Sequence, residues 1–302
     1  MSDDLLQRIQ TLQFSDRAAA QNLLLEFVRA TFPLDVRAVE LRPLAVSLNS
    51  FNGFLTLADG SRLFFKTHTE PDGVIGEYYH AGRLADAGYP VLQPLYSSTE
   101  AGKQFLIYEV IDDPSVFDVA WEVENGRADL LPLLTRAQND VDDRLLEIYR
   151  ATLEWQSADD AARAPIHQLF YHRLAGERLE RFYNPGVTVR LPDGPASLGE
   201  VRQVRWHING RDYHLTLDDL IGRASDLLTP AQAGPSIIGH GDAHNGNLFI
   251  RHRGQLASLL YFDPAFAGRH HPLLDLTKPL FHNVFAMGMY FPEVKRDATR
   301  IA

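Results

Sequence analysis

The sequence contains no cysteine among its 302 residues. A disulfide scaffold, thiol catalysis and cysteine-based zinc sites are therefore excluded. Positive charge is also scarce, since 29 Lys and Arg stand against 39 Asp and Glu, which gives a formal net charge of −10. Because phosphate backbones and anionic membranes are bound by clustered Lys and Arg, we expect neither a nucleic acid nor a membrane as a partner.

Long apolar runs and a signal-like N-terminus are missing as well. No run approaches the length of a membrane span, and Met1-Ser2-Asp3-Asp4 lacks the basic start of a signal peptide. We therefore expect a cytoplasmic protein. With 45% hydrophobic residues, the chain can bury a substantial core, in one large domain or in two lobes.

The most informative segment, 236–263, has a polar cluster between two apolar runs. The cluster begins at His240 and ends at Asn247. The residues after it are typical of two strands joined by a turn, and Asp263 follows the second strand. Because an antiparallel hairpin brings its ends together, Asn247 and Asp263 should be neighbours. Their oxygen donors, with Asp242 on the loop before them, are of the type that Mg²⁺ prefers.

This pattern carries a resemblance to a known family. His-Gly-Asp-x-x-x-x-Asn, followed by a hairpin and Asp263, resembles the catalytic loop and metal-binding Asp of protein-kinase-like enzymes. Gly241 and the spelling HGDxHxGN are more similar to the aminoglycoside phosphotransferase and choline kinase branch. That branch has a second Asp in a run ending Asp-Leu, and here Asp275-Leu276 follows Asp263 at the matching distance.

The resemblance covers residues 40–280 and implies a two-lobed α+β fold of the protein-kinase-like type. An antiparallel sheet with one helix would form a nucleotide-binding lobe over residues 1–112, which also carries helices that apolar spacing predicts at 3–31. A mainly α-helical catalytic and substrate lobe with a small β-hairpin insertion would follow over residues 113–302. ATP and Mg²⁺ are the implied cofactors.

The resemblance also implies roles for single residues of the loop. Asp242 would accept the proton of the substrate hydroxyl, while Asn247 and Asp263 would hold Mg²⁺ against the phosphates. We interpret three further polar residues as support for the loop, with direct catalysis by His244 left as an alternative. They are His240, His244 and Asp275.

Lys66 is the second anchor of the resemblance. It ends an apolar run, so its charge must reach solvent or find a partner. In kinases a Lys on the third strand grips the α- and β-phosphates and is held by a helix Glu. Glu77, in a helix predicted at 73–87, is favoured for that role over Glu70, which precedes a Pro-Asp-Gly loop.

Alternating apolar residues predict three strands before this helix, at 39–46, 54–57 and 63–66. The segment between the first two resembles, by position, the loop that covers phosphates in kinases. Its candidate ligands are Ser50 and Asn52. It keeps only Gly53 of a triple-glycine pattern, so an ordinary hairpin loop stays an alternative.

Further strands are predicted at 91–95 and 105–108, and a hinge between the lobes at 109–112. By the resemblance, the backbone of Glu109 and Ile111 would bond the adenine edge. An acidic run follows, which is typical of a solvated face, although its place at the mouth of the cleft leaves attraction of a cationic acceptor as a second reading. The run comprises Asp112, Asp113, Asp118, Glu122, Glu124 and Asp129.

The rest of the second lobe is predicted to be helical at 113–160, 166–183 and 217–228, with a β-like insertion at 187–215 and one more helix after Asp275. Only residues 276–302 follow Asp275. We therefore expect either a short acceptor pocket or a chain that is part of a longer protein.

The implied function is ATP-dependent phosphorylation of a hydroxyl on a small molecule, such as an aminoglycoside, an amino alcohol or a sugar-like metabolite. A protein kinase is one rival, but no Ala-Pro-Glu-like segment or long activation loop separates Asp263 from Asp275. A non-catalytic nucleotide-binding protein is the other rival. Against it, Lys66, Asp242 and Asn247 are all present beside Asp263.

Overall fold

The structure is a computed structural model that describes residues 5–42, 50–68, 74–100, 102–191, 194–253 and 256–290. The helices within these ranges are α1 Leu5–Ser15, α2 Arg17–Thr31, α3 Val74–Ala87, α4 Val116–Glu124, α5 Leu131–Thr152, α6 Ala158–Ala162, α7 Tyr171–Leu174, α8 Gly176–Tyr183, α9 Leu198–Gln203, α10 Leu217–Leu227 and α11 Pro272–Tyr290. None of them is both long and apolar enough to cross a membrane.

The strands in the same ranges are β1 Val36–Leu41, β2 Ser50–Leu57, β3 Arg62–His68, β4 Tyr96–Ser98, β5 Phe105–Glu109, β6 Glu154–Gln156, β7 Thr188–Leu191, β8 Gly194–Ser197, β9 Trp206–Ile208, β10 Arg211–Tyr213, β11 Gly234–Gly239, β12 Leu248–Arg253, β13 Leu256–Tyr261 and β14 Gly268–His270. Within the described residues, the first part of the chain forms a five-stranded sheet with three helices, and most residues in regular structure in the second part are helical. The predicted two-lobed α+β class is therefore confirmed.

The N-terminal lobe is a five-stranded antiparallel sheet with the strand order β1-β2-β3-β5-β4. α1 and α2 cover one of its faces, where Phe65 of β3 and Phe105 of β5 stack with ring centroids 5.1 Å apart. Asp16 caps the start of α2, because its side chain accepts a hydrogen bond from the Ala19 amide at 3.0 Å.

The other face of this sheet looks toward the C-terminal lobe. Successive side chains of a strand point to opposite faces of the sheet, so Phe64 and Lys66 lie on the face that Phe65 does not. Phe64 and Tyr108 meet Phe262 of the second lobe, with ring centroids 6.2 and 5.7 Å from it. This aromatic contact places Lys66 on the side of the sheet where the two lobes approach each other.

The C-terminal lobe is organised around α5 and the β12–β13 hairpin. Val141 and Ile148 of α5 belong to one core with Ile250 and Leu259 of the hairpin. A small sheet with the order β14-β11-β6 completes the support for the segment that leads into the polar cluster.

The predicted helical region at 113–160 is wrong between α5, which ends at Thr152, and α6, which begins at Ala158. Residues Glu154–Gln156 are extended because they pair with the start of β11, from Gly234 to Ser236. The predicted helix at 166–183 is also broken, since the backbones of Phe170 and Ala175 leave the helical region.

Two strand predictions need correction as well. The strand predicted at 91–95 is reduced to a bridge between Val91 and Tyr261, and the paired strand is β4. Pro94 has no amide hydrogen to give to a ladder, which accounts for the shift. The single hairpin insertion is in fact two hairpins, β7–β8 and β9–β10, separated by α9, which starts at a capping box between Ser197 and Glu200.

Candidate active site

The polar cluster lies on the loop between β11 and β12. The Phe262 amide donates to the Asn247 carbonyl at 2.9 Å, and Leu248 pairs with Tyr261. The two ends of the hairpin therefore meet as predicted, and Asn247 lies beside the chain that leads into Asp263. The Asn247 side-chain nitrogen donates to the Asp242 carbonyl at 2.9 Å, which leaves its amide oxygen as the atom that a cation would bind.

Lys66 and Asp263 join the two lobes. The Lys66 ammonium lies 2.6 Å from the Asp263 carboxylate, although the residues are 197 positions apart. Asp263 has a φ of +56°, in the left-handed region that non-glycine residues seldom adopt. Such backbone strain clusters at functional sites, where the surrounding structure maintains it.

Asn52 lies directly opposite Lys66 in the β2–β3 ladder. Directly opposed residues of an antiparallel pair share a face of the sheet, so Asn52 is on the cleft face together with Lys66. This position is compatible with the predicted contact to nucleotide, which stays a prediction.

The predicted phosphate-covering loop is wrong for residues 50–53, which are paired in β2. Ser50 begins this strand, and its side chain lies outside the described set. Gly53 is fixed by a close approach of β1, because a Cβ there would lie 1.9 Å from the Glu40 carbonyl oxygen. The remainder of the predicted loop that falls in 43–49 lies outside the described residues.

The other predicted nucleotide contacts are placed only in part. Glu77 lies on α3, but its side chain and all of Glu70 fall outside the described set, so their competition for Lys66 stays a prediction. Glu109 is the last residue of β5, and Ile111 packs against the aromatic cluster between the lobes. A hinge at this point of the chain is compatible with both positions.

Asp242 is buried at the centre of the loop. Lys278 of α11 forms an ion pair with its Oδ1, and His244 Nε2 lies 3.7 Å from the same oxygen. Burial raises the pKa of Asp242 to about 6, against the opposing effect of Lys278. A carboxylate that is ionised at neutral pH but still basic has the properties of a general base.

His244 is packed rather than free to titrate. Burial, with neighbouring His282 adding to it, lowers the pKa of His244 to about 3. Its ring stacks on His282 with centroids 4.1 Å apart, and its Nδ1 accepts from the Gly246 amide at 3.1 Å. The neutral ring therefore carries its proton on Nε2, the nitrogen nearest to Asp242.

His240 lies fully buried beneath the loop. Its Nε2 is 3.0 Å from the Phe262 carbonyl, and its Nδ1 accepts from the Asp242 amide at 3.3 Å. Burial lowers the pKa of His240, so the ring stays neutral. Its contacts are to the backbone on both sides of the site, the type of contact expected of a supporting residue.

Asp275 is a second buried anchor of the loop. It accepts from the Gly241 amide at 2.5 Å, from His270 Nε2 at 3.1 Å and from the Tyr149 hydroxyl. Burial opposes its ionisation, but these hydrogen bonds lower the pKa of Asp275 below its ordinary value. Gly241 itself has a φ of +78°, and a Cβ there would lie 2.6 Å from the Phe266 carbonyl oxygen, so glycine is required.

Lys278 is the site residue that sequence reasoning missed. The sequence predicts that the last helix follows Asp275, whereas α11 begins at Pro272 and has Asp275 in its first turn. Residues three apart on a helix share a face, so Lys278 points to the loop that Asp275 contacts. The three-residue spacing of Asp275 and Lys278 could have indicated this role, but only if the start of α11 at Pro272 were known.

The donor set fits Mg²⁺ better than a metal that needs a full protein cage. Among the described residues, no group of three or more His, Cys, Asp or Glu could hold a metal by itself. Mg²⁺ usually keeps several waters and takes one or two protein carboxylates together with substrate phosphates. Asn247 and Asp263 together offer one amide oxygen and one carboxylate, a donor set that is compatible with Mg²⁺.

Two cavities of the C-terminal lobe have linings that do not include the predicted catalytic and metal-binding residues. They measure about 380 and 600 Å³ and lie around β6 and the start of β11 or β14. Neither is lined by Lys66, Asp242 or Asp263. They therefore carry no information on the predicted nucleotide site.

Most of the acidic run after the hinge has partners within the chain. Asp118 caps α4, and Asp113 pairs with Arg251 at 3.2 Å. Arg127 takes both Asp129 and Glu122, at 3.1 and 3.5 Å. These contacts favour the reading of a solvated, self-paired face over an attractor for a cationic acceptor.

No family model and no curated protein matches the chain. The chain does match solved structures of small-molecule phosphotransferases. An ethanolamine kinase from Plasmodium vivax is 10% identical over 93% of this chain and 73% of its own, with a TM-score of 0.48. An aminoglycoside phosphotransferase from Streptomyces rimosus is 15% identical over 88% and 84%, with a TM-score of 0.45.

A spectinomycin phosphotransferase, solved with ADP and spectinomycin, is 14% identical over 85% of this chain and 72% of its own, with a TM-score of 0.43. These structures are of the kinds of enzyme that the HGDxHxGN pattern resembles. Because their identities and TM-scores are low, the likenesses carry no argument about the activity of this chain.

Proposed function

We propose that this protein transfers the γ-phosphoryl group of ATP to a hydroxyl group of a small molecule, with residues 1–112 as the nucleotide-binding lobe and 113–302 as the catalytic and substrate lobe. The observation that carries the proposal is the contact between Lys66 and Asp263. It brings a strand lysine of one lobe to the carboxylate that follows the catalytic-loop hairpin of the other. This is the contact expected if both residues serve one polyphosphate.

The chemistry assigned to Asp242 is proton acceptance. The acceptor oxygen forms a bond to the γ-phosphorus, the bond from that phosphorus to the bridging oxygen breaks, and ADP leaves with the electron pair. The hydroxyl proton passes to the Asp242 carboxylate. Phosphoryl transfer asks a protein mainly for positioning and charge neutralisation, which the buried contacts of His240 and Asp275 serve by holding the loop.

Lys66 and Asn52 would face the phosphates from the sheet, and Asn247 and Asp263 would hold Mg²⁺. When bound, Mg²⁺ neutralises negative charge on the phosphate oxygens. The protein's own contribution at this point is to present two oxygen ligands beside a lysine. Because Asp263 lies next to Lys66, the cation and the ammonium would act on adjacent parts of one nucleotide.

A direct test measures ADP release from Mg-ATP in the presence of aminoglycosides, amino alcohols and sugars, with product identified by the added mass of one phosphoryl group. We expect wild-type protein to release ADP with at least one acceptor class, and Asp242→Asn to release far less. ATP binding without transfer to any acceptor would favour the non-catalytic alternative. Transfer to a general protein substrate alone would favour a protein kinase.

A second test needs no acceptor. ATP analogues should raise the melting temperature only when Mg²⁺ or Mn²⁺ is present, because binding to the folded state stabilises it by mass action. Equal stabilisation by nucleotide with and without a divalent cation would count against Asn247 and Asp263 as metal ligands.

A further inference from the structure

α11 lies along the catalytic loop and touches it residue by residue. Four side chains on one face of the helix each contact a successive part of the loop. Asp275 bonds Gly241, Lys278 pairs with Asp242, His282 stacks on His244, and Asn283 accepts from the Asn245 amide at 2.8 Å. These contacts from α11 therefore stabilise the conformation of the loop.

Lys278 differs from the other members of this row. Asp275 and Asn283 bond backbone amides, which fixes the course of the loop. His282 packs on the ring of a supporting residue. Lys278 instead places its charge on the carboxylate of Asp242, the loop residue that is assigned to take the hydroxyl proton.

The charges around Asp242 single out Lys278 further. Among the described residues, Lys278 is the cation in contact with this carboxylate, while Arg173 acts on it from a greater distance. Lys66, the other lysine of the cleft, is held by Asp263. Among the described side chains, Lys278 is therefore the cationic group that contacts Asp242 directly and can also reach a phosphoryl group placed beside it.

The position of Asp242 indicates where the acceptor hydroxyl and the γ-phosphorus must lie during the reaction. A base must lie within hydrogen-bond reach of the hydroxyl proton that it takes, and the same hydroxyl oxygen attacks the γ-phosphorus. An ammonium has three donors, so contact with one carboxylate oxygen leaves others available. Negative charge in the transition state is spread over the equatorial oxygens of the transferred group, and lysine binds such oxygens as a point charge.

We propose that Lys278 is a catalytic residue whose ammonium bridges Asp242 and the transferred phosphoryl group in the transition state. The inference rests on the proposed phosphoryl transfer at Asp242. Lys278 gives up no proton in this step: the hydroxyl proton goes to Asp242, and the electron pair of the broken bond leaves with ADP. The rival role is purely structural, in which Lys278 only neutralises a buried carboxylate.

The test uses Mg-ADP with and without aluminium fluoride, which mimics the planar transferred group, and measures ADP affinity by calorimetry. Wild-type protein should bind ADP more tightly with the fluoride, and Lys278→Met should lose about 10- to 100-fold of that gain, the range expected for one charge-assisted hydrogen bond. Lys278→Arg should keep part of it. Lys103→Met is the matched control, because Lys103 pairs with Glu100 at an exposed turn.

A pair of variants separates the two roles and protects against misfolding. Asp242→Asn keeps Lys278 and should retain the fluoride-dependent gain. Asp242→Asn with Lys278→Met has no unpaired buried charge, and it should lose the gain while still binding Mg-ADP. If Lys278 only neutralises Asp242, the second substitution will have no further effect, which would overturn the proposal.

The remaining outcomes are equally decisive. The role of Lys278 would be overturned if aluminium fluoride raised the ADP affinity of Lys278→Met as much as that of wild type. It would also be overturned if the fluoride did not raise the ADP affinity of wild-type protein. In both cases nucleotide binding would remain intact. A wild-type protein that does not bind Mg-ADP at all would instead remove the proposed function, and this inference with it.

Discussion

Two lysines approach the candidate site from opposite lobes, and each pairs with one of its two carboxylates. Lys66 of the sheet meets Asp263, whose side chain is 34% exposed. Lys278 of α11 meets Asp242, whose side chain is 12% exposed. A metal ligand must be open to its ion, whereas a base works best where water is excluded. The difference in exposure therefore matches the division of labour that we propose.

The largest effect is expected for a substitution of Asp242, and it should appear in turnover. Asp242→Asn keeps the shape and removes the proton acceptor, so turnover should fall by about 10²–10⁴-fold. Rates of ADP release with the identified acceptor would measure it. Normal turnover in this variant would remove the assignment of Asp242 as the base.

A substitution of Lys66 should weaken nucleotide binding. Lys66→Met removes a charge-assisted contact to the phosphates, and Mg-ATP affinity should fall by about 10- to 100-fold in a nucleotide titration. Lys103→Met again serves as the control and should bind as wild type does.

Glu77→Ala should weaken nucleotide binding less than Lys66→Met does, because it acts only by positioning the lysine. A strong effect of Glu70→Ala together with none of Glu77→Ala would show that the helix partner of Lys66 is misassigned. The same titration decides between the two.

The loop's buried anchor should matter for stability. Asp275→Asn keeps the shape but replaces charge-assisted bonds from His270 and Tyr149, so the free energy of unfolding should fall by about 1–3 kcal/mol. Urea denaturation would measure it. Asp129→Asn, at an exposed pair with Arg127, is the control and should change stability little. Equal stability of Asp275→Asn and the control would show that Asp275 does not anchor the loop.

The smallest effect should appear in the pH dependence of stability. Burial lowers the pKa of His240 from its ordinary value of 6.5, so the unfolded chain takes up a proton there at a pH where the folded chain does not. The unfolded state then binds more protons, and stability should fall as the pH drops from about 7.5 to about 5.5. His240→Asn should show a smaller fall in urea denaturation across that range, and an unchanged fall would mean that His240 is not responsible.

The parts of the site that could be predicted from the sequence depend on short-range geometry. A hairpin closes on itself, so the neighbourhood of Asn247 and the strand end at Asp263 follows from turn and strand patterns. β3 and residues 54–57 of β2 are predictable from their strand pattern, whereas the first half of β2 is not. Lys66 is predictable as a site residue because a charge at the end of an apolar run needs a partner.

The parts that were missed depend on distant contacts. β6 has three residues, too few for a periodic signal, and is extended only because β11 pairs with it. Lys278 reaches Asp242 only because α11 begins at Pro272, so that Asp275 in its first turn can bond Gly241. A local pattern contains neither contact.

The measurement that tests the account most directly is a Mg-ATP titration of two matched variants, Asp242→Asn and Asp263→Asn. Each replaces a carboxylate with its amide, so shape is retained in both. We predict that Asp242→Asn binds Mg-ATP nearly as wild type does, and that Asp263→Asn loses affinity, with partial recovery in excess Mn²⁺. Unchanged affinity in Asp263→Asn, together with weakened affinity in Asp242→Asn, would contradict the division of roles between the two carboxylates.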